Sequence, residues 1–167
     1  MKGDNGLVAR GYSLLTTIGN SLQSPFLLLV RLYWGWQFAQ TGWGKLHNIQ
    51  HVIGFFASLN IPAPAFNAYF VSGLELVGGI LLIVGLGSRL IGLALAFDML
   101  VAYLAADQEA LRSIFSDPGK FYNADPYTFL FASLMIFIFG PGRFALDYVL
   151  SLDRSATKSA SRVRAVA

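Results

Sequence analysis

The chain has no cysteine and few charged residues for its length. Charged residues make up 13% of its 167 residues, hydrophobic residues make up 55%, and the mean hydropathy is +0.57. A soluble domain of this size usually carries roughly 25% charged residues, because water must solvate its surface. The lack of cysteine excludes thiol–disulfide chemistry and thiolate metal sites. The shortage of charge, together with long apolar blocks, indicates an integral membrane protein.

Four apolar segments are candidates for membrane-spanning helices, which need about 20 predominantly apolar residues. They run from Pro25 to Trp43, from Ala65 to Leu86, from Leu90 to Ala106 and from Tyr127 to Phe139. The fourth segment would rise only about 20 Å as a helix, so a re-entrant segment or a locally thinned bilayer is an alternative to a full span. The predicted fold is an all-α membrane protein, a four-transmembrane-helix bundle.

Two flanking segments lack the character of a span. In residues 1–24, apolar side chains recur every three or four residues, which predicts an amphipathic helix lying in the membrane interface. Residues 151–167 are polar, basic and rich in serine and alanine, which predicts a disordered cytoplasmic tail. The predicted organisation is therefore an N-terminal interfacial segment (1–24), a four-helix domain (25–150) and a tail (151–167).

The lysines and arginines predict the orientation, because they concentrate in short cytoplasmic loops. With four spans, one side holds the termini and the second loop, and the other side holds the first and third loops. The first side carries Lys2, Arg10, Arg89, Arg143, Arg154, Lys158, Arg162 and Arg164, and the second carries Lys45, Arg112 and Lys120. Both termini are therefore expected in the cytoplasm. The net charge of +3 sits mostly in the tail, and we predict no nucleic-acid partner.

Three ionisable residues fall inside the predicted spans: Arg31, Glu75 and Asp98. Such groups are costly in a bilayer and commonly mark functional sites. Their depths from the cytoplasmic edge, about 9, 16 and 13 Å, allow one cluster to form. One cation between two carboxylates leaves one carboxylate poorly compensated, and that group is expected to hold a proton. The alternative is structural: an Arg31–Glu75 pair locks two helices together, and Asp98 bonds to tyrosine or backbone groups.

Small and polar residues follow one face of the first span. Arg31, Gly35, Phe38, Gly42 and Lys45 are separated by steps of four, three, four and three. Glycines on such a stripe let another helix approach the backbone closely. This spacing predicts that the stripe faces the interior of the bundle.

His47 and His51 are four residues apart, which would place both imidazoles on one face of a helix. Such a pair could hold zinc or copper if a third ligand approached. No acid or third histidine lies nearby in the sequence. We therefore predict no metal centre and keep the two histidines as weak candidates. The following run from Val52 to Leu59 is predicted to form a short interfacial helix.

A family resemblance rests on four stretches, of which residues 73–89 (GLELVGGILLIVGLGSR) are the most specific. The others are Arg31…Gly35…Phe38…Gly42…Lys45-Leu46, Phe55-Phe56…Leu59-Asn60-Ile61-Pro62 and Gly140-Pro141-Gly142-Arg143-Phe144…Leu146-Asp147. Together they resemble the DoxX family of bacterial membrane proteins over about residues 25–150. The resemblance implies a four-span bundle in the bacterial cytoplasmic (inner) membrane. Arg31, Lys45 and Glu75 match positions that the family pattern features, whereas Asp98, His47 and His51 do not carry over.

The resemblance also implies candidate functions. Some DoxX relatives are membrane subunits of quinone-linked oxidoreductases acting on sulfur compounds such as thiosulfate, and others are associated with redox-stress complexes. In a subunit of this kind, Arg31, Phe38, Lys45 and Glu75 would contact the quinone. Arg31, Glu75 and Asp98 would be the catalytic residues, the acids supplying protons and the arginine polarising a carbonyl oxygen.

Two other functions remain open. The chain could be a non-catalytic accessory or anchor protein for an envelope complex, or it could bind or transport a small solute. The expected partners are the lipid bilayer and either a membrane or periplasmic protein or further copies of the chain.

Overall fold

The computed structural model describes residues 4–151, with side chains from Val8 onward. Within that range the chain is helical and contains no strand, which confirms the predicted all-α class. The helices are α1 (Asp4–His47), α2 (Ile49–Ser58), α3 (Pro64–Val84), α4 (Ser88–Ala105), α5 (Gln108–Arg112), α6 (Pro118–Tyr122) and α7 (Pro126–Phe139). Residues 146–151 are also helical. The predicted tail at 152–167 lies outside the described residues.

The helices α3 and α4 are long and apolar enough to cross a membrane. Their bounds differ by no more than two residues from the predicted segments 65–86 and 90–106. Gly85 and Gly87 have the left-handed backbone conformation, which residues with a side chain rarely adopt, and this allows the sharp reversal between α3 and α4. The membrane crossings of α1 and α7 stay predictions.

The helix α1 is continuous for 44 residues, and Pro25 lies inside it without ending it. The predicted N-terminal segment is therefore helical from Asp4, and it runs directly into the predicted first span. Its apolar residues Val8, Tyr12, Leu15 and Leu22 are all exposed. Whether this part of α1 lies in the membrane interface stays a prediction.

Packing is tightest where α1 meets α3, because glycines bring the two backbones together. A Cβ at Gly35 would lie 2.8 Å from the carbonyl oxygen of Gly79, and one at Gly42 would lie 2.6 Å from that of Ser72. The predicted close-approach stripe is confirmed at these two positions. On the other side of the bundle α4 packs against α7, and Gly92 lies against the α7 backbone near Ser133.

The core lies between these two helix pairs. Its fully buried side chains include Phe38 of α1, Leu82 of α3, Leu95 and Tyr103 of α4, and Ile136 of α7. The Tyr103 hydroxyl donates a hydrogen bond to the carbonyl oxygen of Phe121, at 2.7 Å. This bond ties the third loop, which contains α5 and α6, to the end of α4. The short helix predicted at 52–59 is present as α2, which begins three residues earlier, at Ile49.

Candidate functional site

An ion pair joins α1 to α3 near one end of the bundle. Lys45 lies in the last turn of α1, and its Nζ is 2.6 Å from Oε1 of Glu75 in the middle of α3. The Glu75 side chain is 3% exposed and that of Lys45 is 35% exposed. The charge of Glu75 is therefore compensated by a lysine that still reaches the surface of the protein.

Two carboxylate oxygens beside this pair have no hydrogen-bond partner among the described residues. They are Oε2 of Glu75 and Oδ2 of Asp98, both fully buried. Asp98 projects from α4 and lies within electrostatic range of Glu75 and Lys45. Burying a polar atom without a hydrogen-bond partner costs about 1–3 kcal/mol of folding free energy. Native proteins therefore rarely leave such an atom unless water or a ligand bonds to it. Two such atoms at one place mark a candidate binding site.

Two adjoining clefts meet at the ion pair, with volumes of about 660 and 640 Å³. Lys45, Glu75, Met99 and Ala102 line both clefts. The first, the apolar cleft, is lined mainly by hydrophobic side chains, which include Val52, Phe55, Phe56, Leu59, Val71 and Val101. The second, the polar cleft, is lined among others by Gln37, Thr41, Asp107, Asn123 and Asp125. The site therefore offers a hydrophobic surface on one side of a charged pair and hydrogen-bonding groups on the other.

The structure does not place Arg31 in this cluster, so the predicted grouping of Arg31 with Glu75 and Asp98 is wrong. Its guanidinium donates to four backbone carbonyl oxygens: Leu82 at 2.9 Å, Ile83 at 3.3 Å, Pro141 at 2.6 Å and Phe144 at 3.2 Å. Leu82 and Ile83 follow Glu75 by seven and eight residues, or about 11 Å along α3. A helix end leaves carbonyls without intrahelical partners, and Arg31 satisfies them there. The predicted Arg31–Glu75 pair of the structural alternative is wrong for the same reason.

Asp147 completes this second network. Its Oδ1 and Oδ2 accept hydrogen bonds from the amides of Gly87 and Ser88, at 2.7 and 2.8 Å. Its own amide donates to the carbonyl oxygen of Gly85 at 2.9 Å. Arg31 and Asp147 together fasten the segment after α7 to the turn between α3 and α4. This geometry indicates that both residues stabilise the fold.

Phe38 is fully buried, and its ring packs edge-on against Phe129 with centroids 4.7 Å apart. Phe129 lines the polar cleft, whereas Phe38 lies behind it. The structure thus brings Lys45 and Glu75 to the clefts, puts Asp98 beside them, and keeps Phe38 in the core. Phe38 lines neither cleft.

The two histidines do not converge on a third ligand. The Nδ1 of His47 lies 3.0 Å from the carbonyl oxygen of Trp43, and its ring packs on the Trp43 indole. His51 lines the apolar cleft. No group of three histidine, aspartate or glutamate side chains suited to a metal ion occurs in the part of the chain that the structure describes.

Sequence reasoning missed the partner of Glu75, although one signal was available. Lys45 lies on the same helical stripe as Gly42, where the α3 backbone packs directly against α1. A long lysine one turn beyond such a contact reaches the neighbouring helix easily. Reasoning from the sequence also missed Gln37, Thr41 and Met99 as lining residues, because neutral side chains in apolar helices carry no comparable signal.

Comparison with known proteins agrees with the sequence resemblance. The pattern of the DoxX family matches residues 26–108, which include Lys45, Glu75 and Asp98. A protein of Bacillus subtilis (strain 168), named "Putative oxidoreductase CatD", is 30% identical over 120 residues, covering 72% of this chain and 83% of that protein. No solved structure gives a significant match. The chain belongs to the DoxX family of membrane proteins.

Proposed function

We propose that this protein is a membrane subunit of a quinone-linked oxidoreductase or redox-stress complex, and that it binds the quinone at Lys45, Glu75 and Asp98. The observation that carries the proposal is the pair of unpartnered carboxylate oxygens beside the partly exposed Lys45, at the edge of an apolar cleft. The oxidoreductase name of the Bacillus subtilis relative points to the same class of function.

The residues fit a quinone in shape and in chemistry. A quinone is a flat apolar ring with two carbonyl oxygens, and ligand pockets of roughly 300–1,000 Å³ commonly hold molecules of that kind. In our proposal the ring lies in the apolar cleft against Phe55 and Val71. Lys45 uses one of its three N–H donors on Glu75 and keeps two, so it can donate to a ring carbonyl. Its positive charge would stabilise negative charge as it develops on that oxygen.

The two carboxyl groups would handle protons. A quinone takes up two protons with two electrons when it is reduced. Glu75 lines both clefts and would pass protons to the ring, and Asp98, which lines neither cleft but lies within electrostatic range of Glu75, would resupply them. Thr41 and Asp107 of the polar cleft would connect the pair to water. We place the electron donor on a partner protein, because the sequence has no cysteine to hold a redox centre.

We further propose a four-span topology in the bacterial cytoplasmic membrane with both termini inside. The helices α1 and α7 each pack along one of the candidate spans α3 and α4, which supports their crossing the bilayer together. The helix α7 has 14 residues and rises about 21 Å, so the bilayer would be thinner beside it or the helix little tilted. The site would then lie near the outer face, where a periplasmic partner or a second copy could reach it.

Purification from membranes in mild detergent, followed by extraction and quantification of quinone, tests the proposed function. We expect the wild type to retain near-stoichiometric quinone. Glu75→Gln and Lys45→Met should each lose most of it, because the loss of one charged hydrogen bond weakens quinone affinity roughly tenfold. Glu109→Gln and Lys120→Met are matched controls. They change the same residue types in an exposed ion pair of the third loop and should keep the wild-type amount.

Two results would count against the proposal. Equal quinone in the wild type and in all four variants would show that it dissolves in the detergent micelle without a site. A wild type free of quinone would favour the accessory or anchor function instead, especially if the protein still co-purified with a partner after both site substitutions. Thermal unfolding of each variant, measured in the same detergent, separates lost binding from lost folding.

A further inference from the structure

A further cavity lies at the other end of the bundle from the Lys45–Glu75 pair. It has a volume of about 500 Å³ and lies between α1, the start of α4 and the segment that follows α7. Ser24 lines this cavity and precedes Lys45 by 21 residues in α1, which corresponds to about 31 Å along the helix. The hydrocarbon core of a bilayer is about 30 Å thick. On the proposed four-span topology, the cavity therefore lies at the headgroup level of the opposite membrane face.

Two arginines in this cavity have no acidic partner among the described residues. Arg89 and Arg143 line it, and neither forms an ion pair there. Asp147 also lines it, but both of its carboxylate oxygens accept hydrogen bonds from the Gly87 and Ser88 amides. The nearby guanidinium of Arg31 is occupied by backbone carbonyls. The formal charge of the cavity lining is therefore positive, and its arginine donors are free.

Arg89 lies at the N-terminus of α4, where the Asp147 carboxylate, which lines the same cavity, already accepts hydrogen bonds from the Gly87 and Ser88 amides. Arg89 is the second residue of α4, where the helix dipole favours negative charge and disfavours a cation by about 0.3–1 kcal/mol. Its guanidinium packs on Gly140, because a Cβ at that glycine would come 3.2 Å from Nε and Nη2. This contact places the guanidinium at the cavity, although Arg89 as a whole residue is exposed.

We infer that this cavity binds the phosphate of an anionic phospholipid headgroup between Arg89 and Arg143. Guanidinium groups bind phosphate oxygens through paired hydrogen bonds, and two of them can hold one phosphate from two sides. The Ser24 hydroxyl accepts a hydrogen bond from the Arg143 amide and keeps its own O–H to donate. Phe139 lines the cavity and is exposed, and Leu90 and Phe144, the chain neighbours of Arg89 and Arg143, are exposed apolar residues as well. These are suited to acyl chains, whereas free phosphate would gain nothing from them.

Native mass spectrometry of the full chain in detergent tests this site. The protein is titrated with phosphatidylglycerol or with phosphatidylcholine carrying the same acyl chains. We expect the wild type to prefer phosphatidylglycerol, and Arg89→Gln to weaken that preference roughly fivefold. The double variant Arg89→Gln/Arg143→Gln should weaken it roughly 25-fold. The matched control Arg112→Gln/Lys120→Gln removes the same charge at the other end of the protein and should leave the preference unchanged.

Equal binding of the two lipids to the wild type, or an unchanged preference in the double variant, would overturn the proposal. Inorganic phosphate distinguishes the two possible sources of the anion. If phosphate displaces phosphatidylglycerol at a lower concentration than the lipid itself requires, the occupant is a soluble anion and the lipid assignment fails. Should the double variant unfold, Arg143→Gln alone carries the test, because Arg143 is exposed and makes no side-chain contact that folding needs.

Discussion

The Nζ of Lys45 lies 2.6 Å from Oε1 of Glu75, so the end of α1 is tied to the middle of α3 by a largely buried ion pair. Two consequences arise from this contact. The pair contributes to stability by compensating a buried carboxylate, and it presents the remaining lysine donors to the two clefts.

Replacing Lys45 by methionine should destabilise the fold, because it leaves the Glu75 carboxylate buried without a cation. We expect a loss of roughly 2–3 kcal/mol, less than for a fully buried pair since Lys45 is partly exposed. The double variant Lys45→Met/Glu75→Gln should recover part of that loss, since no uncompensated charge remains. Unfolding by SDS in mixed micelles measures the free energy of unfolding of both variants. A Lys45→Met protein as stable as wild type would show that Glu75 does not depend on the lysine.

Arg31→Gln should destabilise the protein strongly without acting on the Lys45–Glu75 site. The substitution removes donors from the buried carbonyl of Leu82 and from the part-buried carbonyls of Pro141 and Phe144. We expect a loss of roughly 3 kcal/mol or more, and little rescue by Arg31→Lys, because an ammonium cannot span the same acceptors. The unfolding assay should show this loss, and quinone retained per folded molecule should stay at the wild-type value. Selective loss of quinone from folded protein would contradict this separation.

The closeness of α1 to α3 makes Gly42 sensitive to a single methyl group. Gly42→Ala would place a Cβ 2.6 Å from the carbonyl oxygen of Ser72, so the helices must separate, and we expect a loss of roughly 2–3 kcal/mol. Gly44→Ala is the matched control, since nothing lies within 4 Å of its Cβ position. It should be at least as stable as wild type, because alanine favours helix over glycine. Equal stability of the two variants would argue against this packing.

The ion pair of the third loop allows a contrasting prediction for exposed charges. Glu109 and Lys120 lie 2.6 Å apart, with side chains 83% and 51% exposed. The hydrogen bond and the charge of Lys120 lower the pKa of Glu109. Solvent screens the attraction between such exposed charges. Glu109→Gln should therefore leave the unfolding midpoint unchanged, whereas Glu75→Gln should alter it. A large effect at Glu109 would mean that the third loop is held more firmly than its exposure indicates.

Asp147 should make the folding stability of the protein depend on pH. Burial opposes its ionisation, but hydrogen bonds from Ser88 and Gly87 and the charge of Arg31 hold its pKa below the ordinary value of 3.8. A carboxylate with a lowered folded-state pKa stabilises fully above its unfolded pKa and loses that contribution as pH falls through the folded pKa. Asp147→Asn should therefore cost roughly 1–2 kcal/mol at neutral pH. The gap between the two proteins should narrow below about pH 4. A gap that stays constant from pH 7 to pH 3 would contradict this assignment.

Several features could be predicted from residues that act locally. The apolar runs predicted α3, α4 and α7 to within two residues, since helix length follows directly from an unbroken apolar pattern. The glycine stripe of α1 predicted the close approach of another helix. The short helices α5 and α6 were not predicted, because the third loop is polar and follows no helical period.

The composition and spacing of this chain determined by themselves that it is an all-helical membrane protein, and that Glu75 and Asp98 face other helices. Only the tertiary structure decided which cation compensates Glu75. Distance along a helix can be counted from the sequence, but the lateral position of each side chain depends on how the helices pack. Arg31 found its acceptors in backbone carbonyls, which exist at every position and leave no mark in the sequence. Lys45 reached Glu75 because Gly42 let α3 approach within contact distance of α1.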